Sequence, residues 1–320
     1  MATLKDIAKR AGVTATTVSR VINNRGYISE GTRKKVYAAM EEMHYQPNEL
    51  ARAFSKQYTN TIGLIVPHIS HPFFIKVISN LESSAAEKGF KLLLCNSKEQ
   101  PEKEQDYLDM CISNRVAGIV LCSKYVQTRE FRKMNIPVVN LERGGDDDTI
   151  SVQCDNYQGG KLAAEHLIEC GCKNLLHFGG VAGKDMPADR RADGFSDVCK
   201  RAGIPYRILV SDRLQYGSMH YEDFIRRALQ EFPDVDGIFA SSDLIASQVI
   251  QVGAQMGKRV PEDIQLIGFD DVMISTVTTP QITTIHQPVE EMTELCVEYI
   301  AKSLKNESVP QKIVLPVRLG

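Results

Sequence analysis

Small hydroxyls, an amide and a guanidinium crowd one short stretch near the N-terminus: Thr14, Thr16, Thr17, Ser19, Arg20 and Asn23, with Ala15 among them. Groups of this kind can approach base edges and phosphates in a major groove, Arg20 being the best base or phosphate contact. A second set lies far along the chain and is of another kind. Asp155-Asn156, Ser242-Asp243 and Asp270-Asp271 each follow an apolar run, and Arg191 stands in Arg191-Ala-Asp-Gly-Phe195. Carboxylates and a guanidinium at strand ends can exchange hydrogen bonds with the hydroxyls of a small polar ligand.

Apolar spacing shows what must position the first set. Leu4, Ile7, Ala8 and Ala11 recur at helical intervals, and Thr3 with Asp6 has the form of a capping box. Gly12 can take the left-handed conformation that ends this helix, Val13 drops into a small core, and Thr14 caps the next helix. That helix, expected over about 15–22, buries Val18, Val21 and Ile22 and leaves the polar set on its open side or at its ends. A third helix, capped near Ser29 or Glu30, adds Val36, Met40 and Met43. Three helices in fewer than about 45 residues make a unit small enough to rest on a groove. Thr14, Thr17 and Ser19 can equally be read as caps and a solvated face. Next, Pro47-Asn-Glu-Leu-Ala-Arg-Ala-Phe-Ser-Lys-Gln57 reads as a short helix too polar for a core, hence a hinge.

The charge is divided accordingly. Residues 1–60 hold ten Lys or Arg against five acids, a net of about +5, while the rest hold 28 against 35, about −7. Only the N-terminal part favours a polyanion. With 320 residues and 43% hydrophobic content, the chain fills two or three folding units.

From Thr61 onward, apolar strands alternate with amphipathic helices, the pattern of doubly wound parallel sheets. Strands are expected near 62–67, 91–95, 118–122 and 137–141, with helices near 72–88 and 102–114. A second set has strands near 151–154, 174–178, 237–240 and 264–269 and helices near 159–169, 189–202, 221–231 and 243–256. A helix at 289–304 and a strand at 312–316 close the chain. The expected organisation is an all-α helix-turn-helix head at 1–46, a hinge at 47–60 and a two-lobed α/β core at 61–320. Lobe 1 spans about 61–158 and 289–312; lobe 2 spans about 159–288 with the C-terminal end. Ligand pockets in such sheets form outside the carboxyl ends of the strands.

Other chemistry finds little support. Gly179-Gly-Val-Ala-Gly-Lys184 has one residue too few between its glycines for a phosphate loop, and Asp185 where Ser or Thr should bind magnesium. His68 and His71 read as a cap or pocket wall rather than metal ligands. No nucleophile, base and orienting group can be assembled, so neither an enzyme, a cofactor nor a metal is expected. The eight cysteines form no C-x-x-C and read as free thiols in a reducing compartment. No signal peptide or membrane-spanning run is recognised, so the chain is expected to be cytoplasmic.

Together, the Thr3–Asn23 block, Ser29-Glu-Gly-Thr-Arg-Lys-Lys-Val36 and Tyr45-Gln-Pro-Asn-Glu-Leu-Ala-Arg52 resemble the DNA-binding head and hinge of the lactose-repressor (LacI) family of bacterial transcription regulators. Within it, Val21–Glu30, Leu94-Cys-Asn-Ser97, Lys103–Leu108 and Leu315-Pro-Val317 are most similar to the sucrose-operon repressors. The two-lobed layout is shared with periplasmic sugar-binding proteins. The resemblance implies a homodimer on a palindromic operator, with DNA contacts from Thr3, Thr14, Ala15, Thr16, Thr17, Ser19, Arg20, Asn23, Ser29, Thr32 and Tyr45, and from Asn48, Ala51 and Phe54 of the hinge. Phe54 stands where the family usually has a Leu wedge; packing against the core or the partner hinge is the alternative. The resemblance also places effector contacts at Asp155, Arg191, Ser242 and Asp270, with Tyr216, Phe73 and Phe74 as aromatic walls, and implies a sucrose or fructosyl effector; a nucleobase, phosphosugar or partner-protein effector is the alternative, and a sugar-binding module or an enzyme on the same scaffold a remote one. Arg191 and an aspartate can instead pair structurally, Phe73 and Phe74 can be core, and Asp243 and Asp271 read as caps.

Overall fold

The computed structural model describes residues 2–23, 25–45, 58–123, 136–144, 149–181 and 186–320. The chain divides into two compact units, Met1–Thr59 and Asn60–Gly320. Asn48, Ala51 and Phe54, and with them the hinge, lie outside the described residues.

The first unit holds helices α1 (Leu4–Ala11), α2 (Ala15–Ile22) and α3 (Glu30–Glu42). Each begins as its sequence dictates. Thr3 and Asp6 cap α1 reciprocally, Thr14 accepts from the Thr17 amide, and Ser29 accepts from the Thr32 amide. Gly12 takes φ 66°, ends α1 and frees the chain to turn. Ile7, Val18, Val21 and Val36 are fully buried with Ala8, Ala11 and Ala39, while Ile22, Met40 and Met43 pack only partly against them. Arg10 and Glu42 join α1 to α3 at 2.7 Å, an exposed pair that contributes under about 1 kcal/mol.

The second unit runs β1 (Thr61–Val66), α4 (Pro72–Glu87), β2 (Lys91–Asn96), α5 (Pro101–Ser113), β3 (Gly118–Leu121), β4 (Val138–Leu141), β5 (Ile150–Cys154), α6 (Asn156–Glu169), β6 (Leu175–Val181), α7 (Arg190–Ala202), β7 (Tyr206–Ser211), α8 (Arg213–Ser218) and α9 (Glu222–Glu231). It continues with β8 (Gly237–Ala240), α10 (Asp243–Gln255), β9 (Gln265–Asp270), α11 (Met273–Val277), β10 (Thr283–His286), α12 (Val289–Ser303), β11 (Lys312–Leu315) and β12 (Arg318–Leu319). Among the described residues these strands make two six-stranded sheets, ordered β11-β5-β4-β3-β1-β2 and β12-β10-β9-β8-β6-β7. Pairing is parallel except for β12 against β10. The chain passes from one sheet to the other after β5, β10 and β11.

Two expectations change. The 150–154 strand belongs to the first sheet, between β4 and β11, rather than opening the second set. Strands β7, β10 and β12 and helices α8 and α11 carried no recognised signal. β3, β4 and β8 are buried throughout, and β3 and β8 read as continuous apolar runs, whereas β7 is an edge strand with an irregular pattern.

Phe178, Phe195, Phe239 and Phe269 are fully buried in the second lobe, each burial contributing about 1.5–3 kcal/mol. His177 stacks on Phe239 with centroids 4.4 Å apart and donates from Nδ1 to the Phe239 carbonyl at 3.0 Å. Burial lowers its pKa to about 4, so the ring stays neutral. α6 and α7 pack backbone to backbone: a Cβ on Gly160 would collide with the Arg191 carbonyl, and one on Gly194 with the Tyr157 carbonyl. This close approach fixes where Arg191 begins.

Candidate functional site

In the helical head, local bonds occupy much of the polar set. Besides its cap bond, Thr14 shares a hydroxyl contact with Thr17 at 2.9 Å, and Ser29 shares one with Thr32 at 2.9 Å. Asn23 donates to the Ser19 carbonyl at 2.9 Å. Ala15 and Tyr45 are partly buried against the head core rather than open. Thr16 and Arg20 are exposed on α2, and no acid stands in its first turn. Arg25 and Tyr27 are exposed just beyond it, Tyr27 at 99%. The open face of α2 is therefore cationic and hydrogen-bonding, with its helix ends already satisfied.

In the core, an open cleft lies at the carboxyl ends of both sheets. Phe73 and Phe74 project from the start of α4, each 7% exposed and edge-to-face at 5.2 Å. They line the cleft and belong to the core at once. His71 caps α4, accepting from the Phe73 amide at 3.3 Å, and also lines the cleft. Burial, with the charges of His68 and Arg191, lowers its pKa to about 4. Tyr216, on α8 of the other lobe, sets its ring 5.6 Å from His68 and closes the mouth.

Arg191 anchors the floor. Nε donates to Asn156 Oδ1 at 2.7 Å, Nη1 donates to the Ser241 carbonyl at 2.5 Å, and the guanidinium lies 3.4 Å from the centroid of the Phe269 ring. Asp270 Oδ1 is 3.8 Å from Nη1, with both side chains buried. The structural pairing and the cleft position therefore coexist in one residue pair. Gln287 Nε2 donates to Asp270 Oδ1 at 2.6 Å. Burial pushes the Asp270 carboxyl well above the usual carboxylate range, opposed by Arg191 and reinforced by Asp243.

Ser242 lines the cleft and caps α10 by accepting from the Ile245 amide. Asp243 does not cap that helix; it accepts from the Val272 amide at 2.9 Å and the Thr284 hydroxyl at 2.5 Å, holding the turn after β9. Asp155 departs from expectation more sharply. It caps α6 through the Gln158 amide at 2.9 Å and does not line the cleft. Its place is taken by Glu142, which ends β4, lines the cleft and accepts from the Cys154 amide at 2.5 Å and Asn156 Nδ2 at 2.9 Å. The strand-end rule applied to Leu141-Glu142 would have found it. Gln287 follows β10, a strand that gave no signal. Among the described residues, two buried polar atoms on the cleft wall, Ser123 Oγ and Gln287 Oε1, lack a hydrogen-bond partner, as expected of groups that meet a polar ligand.

Among the described residues, no group of three or more His, Cys, Asp or Glu could hold a metal ion, and no helix is long and apolar enough to cross a membrane. Residues 182–185 of the glycine-rich stretch lie outside the described residues; Gly179 to Val181 end β6.

Comparison with known proteins agrees with this division. Residues 3–48 match the bacterial regulatory proteins of the lacI family, and residues 164–319 match the periplasmic binding protein-like domain. The chain is 33% identical to the ribose operon repressor of Halalkalibacterium halodurans over 98% of its length and 96% of that protein. It is 35% identical to the sucrose operon repressor of Pediococcus pentosaceus over 99% and 97%, and 36% identical to the HTH-type transcriptional repressor PurR of Erwinia tasmaniensis over 92% and 88%. Its fold matches the periplasmic binding protein/LacI transcriptional regulator from Alkaliphilus metalliredigens complexed with D-xylulofuranose, with TM-score 0.74 and 31% identity over 82% of this chain and 97% of that one. A DNA-binding head and a periplasmic-binding-like core define a class of bacterial regulatory proteins. The chain belongs to the LacI family.

Proposed function

We propose that this protein is a cytoplasmic, homodimeric repressor of a sugar-utilisation operon, without enzymatic activity, whose operator affinity is set by a small polyhydroxylated effector in the cleft. The observation that carries the effector reading is the buried Arg191–Asp270 floor facing the Phe73, Phe74 and Tyr216 walls. Charged hydrogen-bonding groups below aromatic faces suit the hydroxyls and C–H surfaces of a sugar. Glu142, Ser242 and Gln287 would join Arg191 and Asp270 as polar contacts, and Asp155 is left as a cap. A sucrose or fructosyl effector is the favoured ligand, supported by the sucrose repressor relatives and by the furanose in a similar solved structure. A nucleobase is the second reading, because PurR repressors are about equally similar.

On DNA, α2 of each protomer would enter successive major grooves of a palindrome, with Arg20 and Thr16 reading the site and Thr3, Thr14, Thr17, Ser19, Asn23, Ser29 and Thr32 at phosphates. Ala15 and Tyr45 would support α2 from the core side, and Asn48, Ala51 and Phe54 would meet the minor groove. Exposed Ile69, Ile75, Met273 and Val277 give the core apolar surface for a second copy to cover. A thermal-shift screen of the full chain against sugars, phosphosugars and purines tests the effector reading, since a ligand that binds only the folded state raises its melting temperature. A shift with sucrose or fructose supports the favoured reading; a shift confined to purines replaces it with the second.

A further inference from the structure

Besides the Glu142–Asn156–Arg191 bonds on the floor of the cleft and Tyr216 at its mouth, a lysine that does not line the cleft also joins the two lobes. Lys76, half-buried on α4 of the first lobe, donates from Nζ to the main-chain carbonyl of Asp271 in the second lobe at 2.6 Å. We propose that this bond is a latch that holds the lobes closed around the cleft, with Lys76 acting as a positioning residue. The purpose of the latch rests on the effector reading above.

The acceptor is built rather than incidental. Asp270 and Asp271 have φ 112° and 51°, left-handed values that residues other than glycine hold only when their surroundings impose them. Here the surroundings do so from several elements. Asp243 of α10 takes the Val272 amide at 2.9 Å, Thr284 of β10 takes the Asp271 amide at 3.4 Å, and His286 sets Nδ1 2.7 Å from the Asp271 carboxylate. Gln287 fixes Asp270 from the same strand end. The Asp271 carbonyl therefore has one direction available, toward α4, and a charged donor meets it there.

Its place gives it leverage. Asp270 lines the cleft, so a ligand that orders or shifts Asp270 moves the carbonyl one residue away and thereby strengthens or weakens the bond to Lys76. On either side of the latch, Ile75 and Met273 are exposed, 53% and 79%. Lobe closure would therefore reach the apolar surface assigned above to the second copy.

Hydrogen exchange of the full chain, without ligand, tests this. Lys76→Met keeps the aliphatic stem and removes the donor; Lys88→Met, at the exposed end of the same helix, is the control. Exchange in cleft-wall segments 67–71 and 241–245 should quicken about tenfold in Lys76→Met while β6 and the head helices stay unchanged. Lys76→Arg should restore most of the protection. Equal exchange in wild type, Lys76→Met and Lys88→Met would overturn the latch. The same samples are then read with D-ribose, sucrose and adenine. A probe that protects the walls although Lys76→Met leaves them unchanged sinks the latch and keeps the effector reading. Opening in Lys76→Met with no response to any probe supports the latch and counts against the effector reading.

Discussion

The head and the cleft hold their polar groups by opposite means. In the head, Thr3, Thr14 and Ser29 are each bonded to a residue three positions on, so the arrangement is local and each helix end can be read from its own few residues. In the cleft, Arg191 is held by residues 35 and 50 positions away, and Lys76 reaches one 195 positions away. Local bonds leave the open face of α2 exposed for a partner; long-range bonds bury charges at a ligand surface. A change in the head should therefore be cheap in stability and costly in binding, whereas a change at the cleft floor should be costly in both.

Arg191→Ala should show the largest effect. It leaves Asn156 Oδ1 and the Ser241 carbonyl buried without their donor and should destabilise the core by about 2–5 kcal/mol, read by chemical denaturation. A loss within about 0.5 kcal/mol, typical of a surface site, would put the cleft in the same class as the head. Gly194→Ala forces the α6 and α7 backbones apart and should cost about 1–3 kcal/mol or more in the same measurement. Arg20→Ala should leave stability unchanged and remove about 1–3 kcal/mol of specific binding per half-site, measured against an operator selected from random DNA. Unchanged affinity would remove α2 from the role of recognition helix. Thr14→Ala should cost about 1 kcal/mol through the lost cap, in the head alone.

Acid sharpens the contrast further. His71 and His177 have folded pKa values of about 4 against an ordinary 6.5. Their depressed values mean that the folded state binds fewer protons, so their share of stability is present above pH 6.5 and is lost as pH falls toward 4. Asp270 is displaced upward and acts in the other sense, favouring the fold as pH falls through its raised pKa. His177→Gln, at a ring buried behind the cleft wall, should flatten the acid limb of core stability by about 3 kcal/mol or less. The same acid sensitivity in wild type and variant would show that the buried ring is not its source.

Most of the element order was legible because parallel strands covered on both faces read as unbroken apolar runs, as in Gly118–Leu121 and Gly237–Ala240. Edge strand β7 and the two-residue β12 were not, since neither is apolar on both faces. The strand-end argument reached Arg191, Ser242 and Asp270 but chose Asp155 over Glu142. Both residues end a first-sheet strand, and only the packing of α6 decides that one caps a helix while the other faces the cleft. Gln287 shows the same limit, because it follows an unrecognised strand and becomes a cleft wall only once the lobes are placed; His71 was legible as a cap or pocket wall and is both.

The central claim is that the cleft and the head are coupled through one chain. The direct measurement is operator affinity of the full-length protein with and without the ligand that raises its melting temperature, in wild type and in Arg191→Lys. Wild type should change affinity about 5- to 150-fold, the range of a coupling of 1–3 kcal/mol, and the variant should change little. A ligand that binds the cleft yet leaves operator affinity the same in wild type would contradict the account.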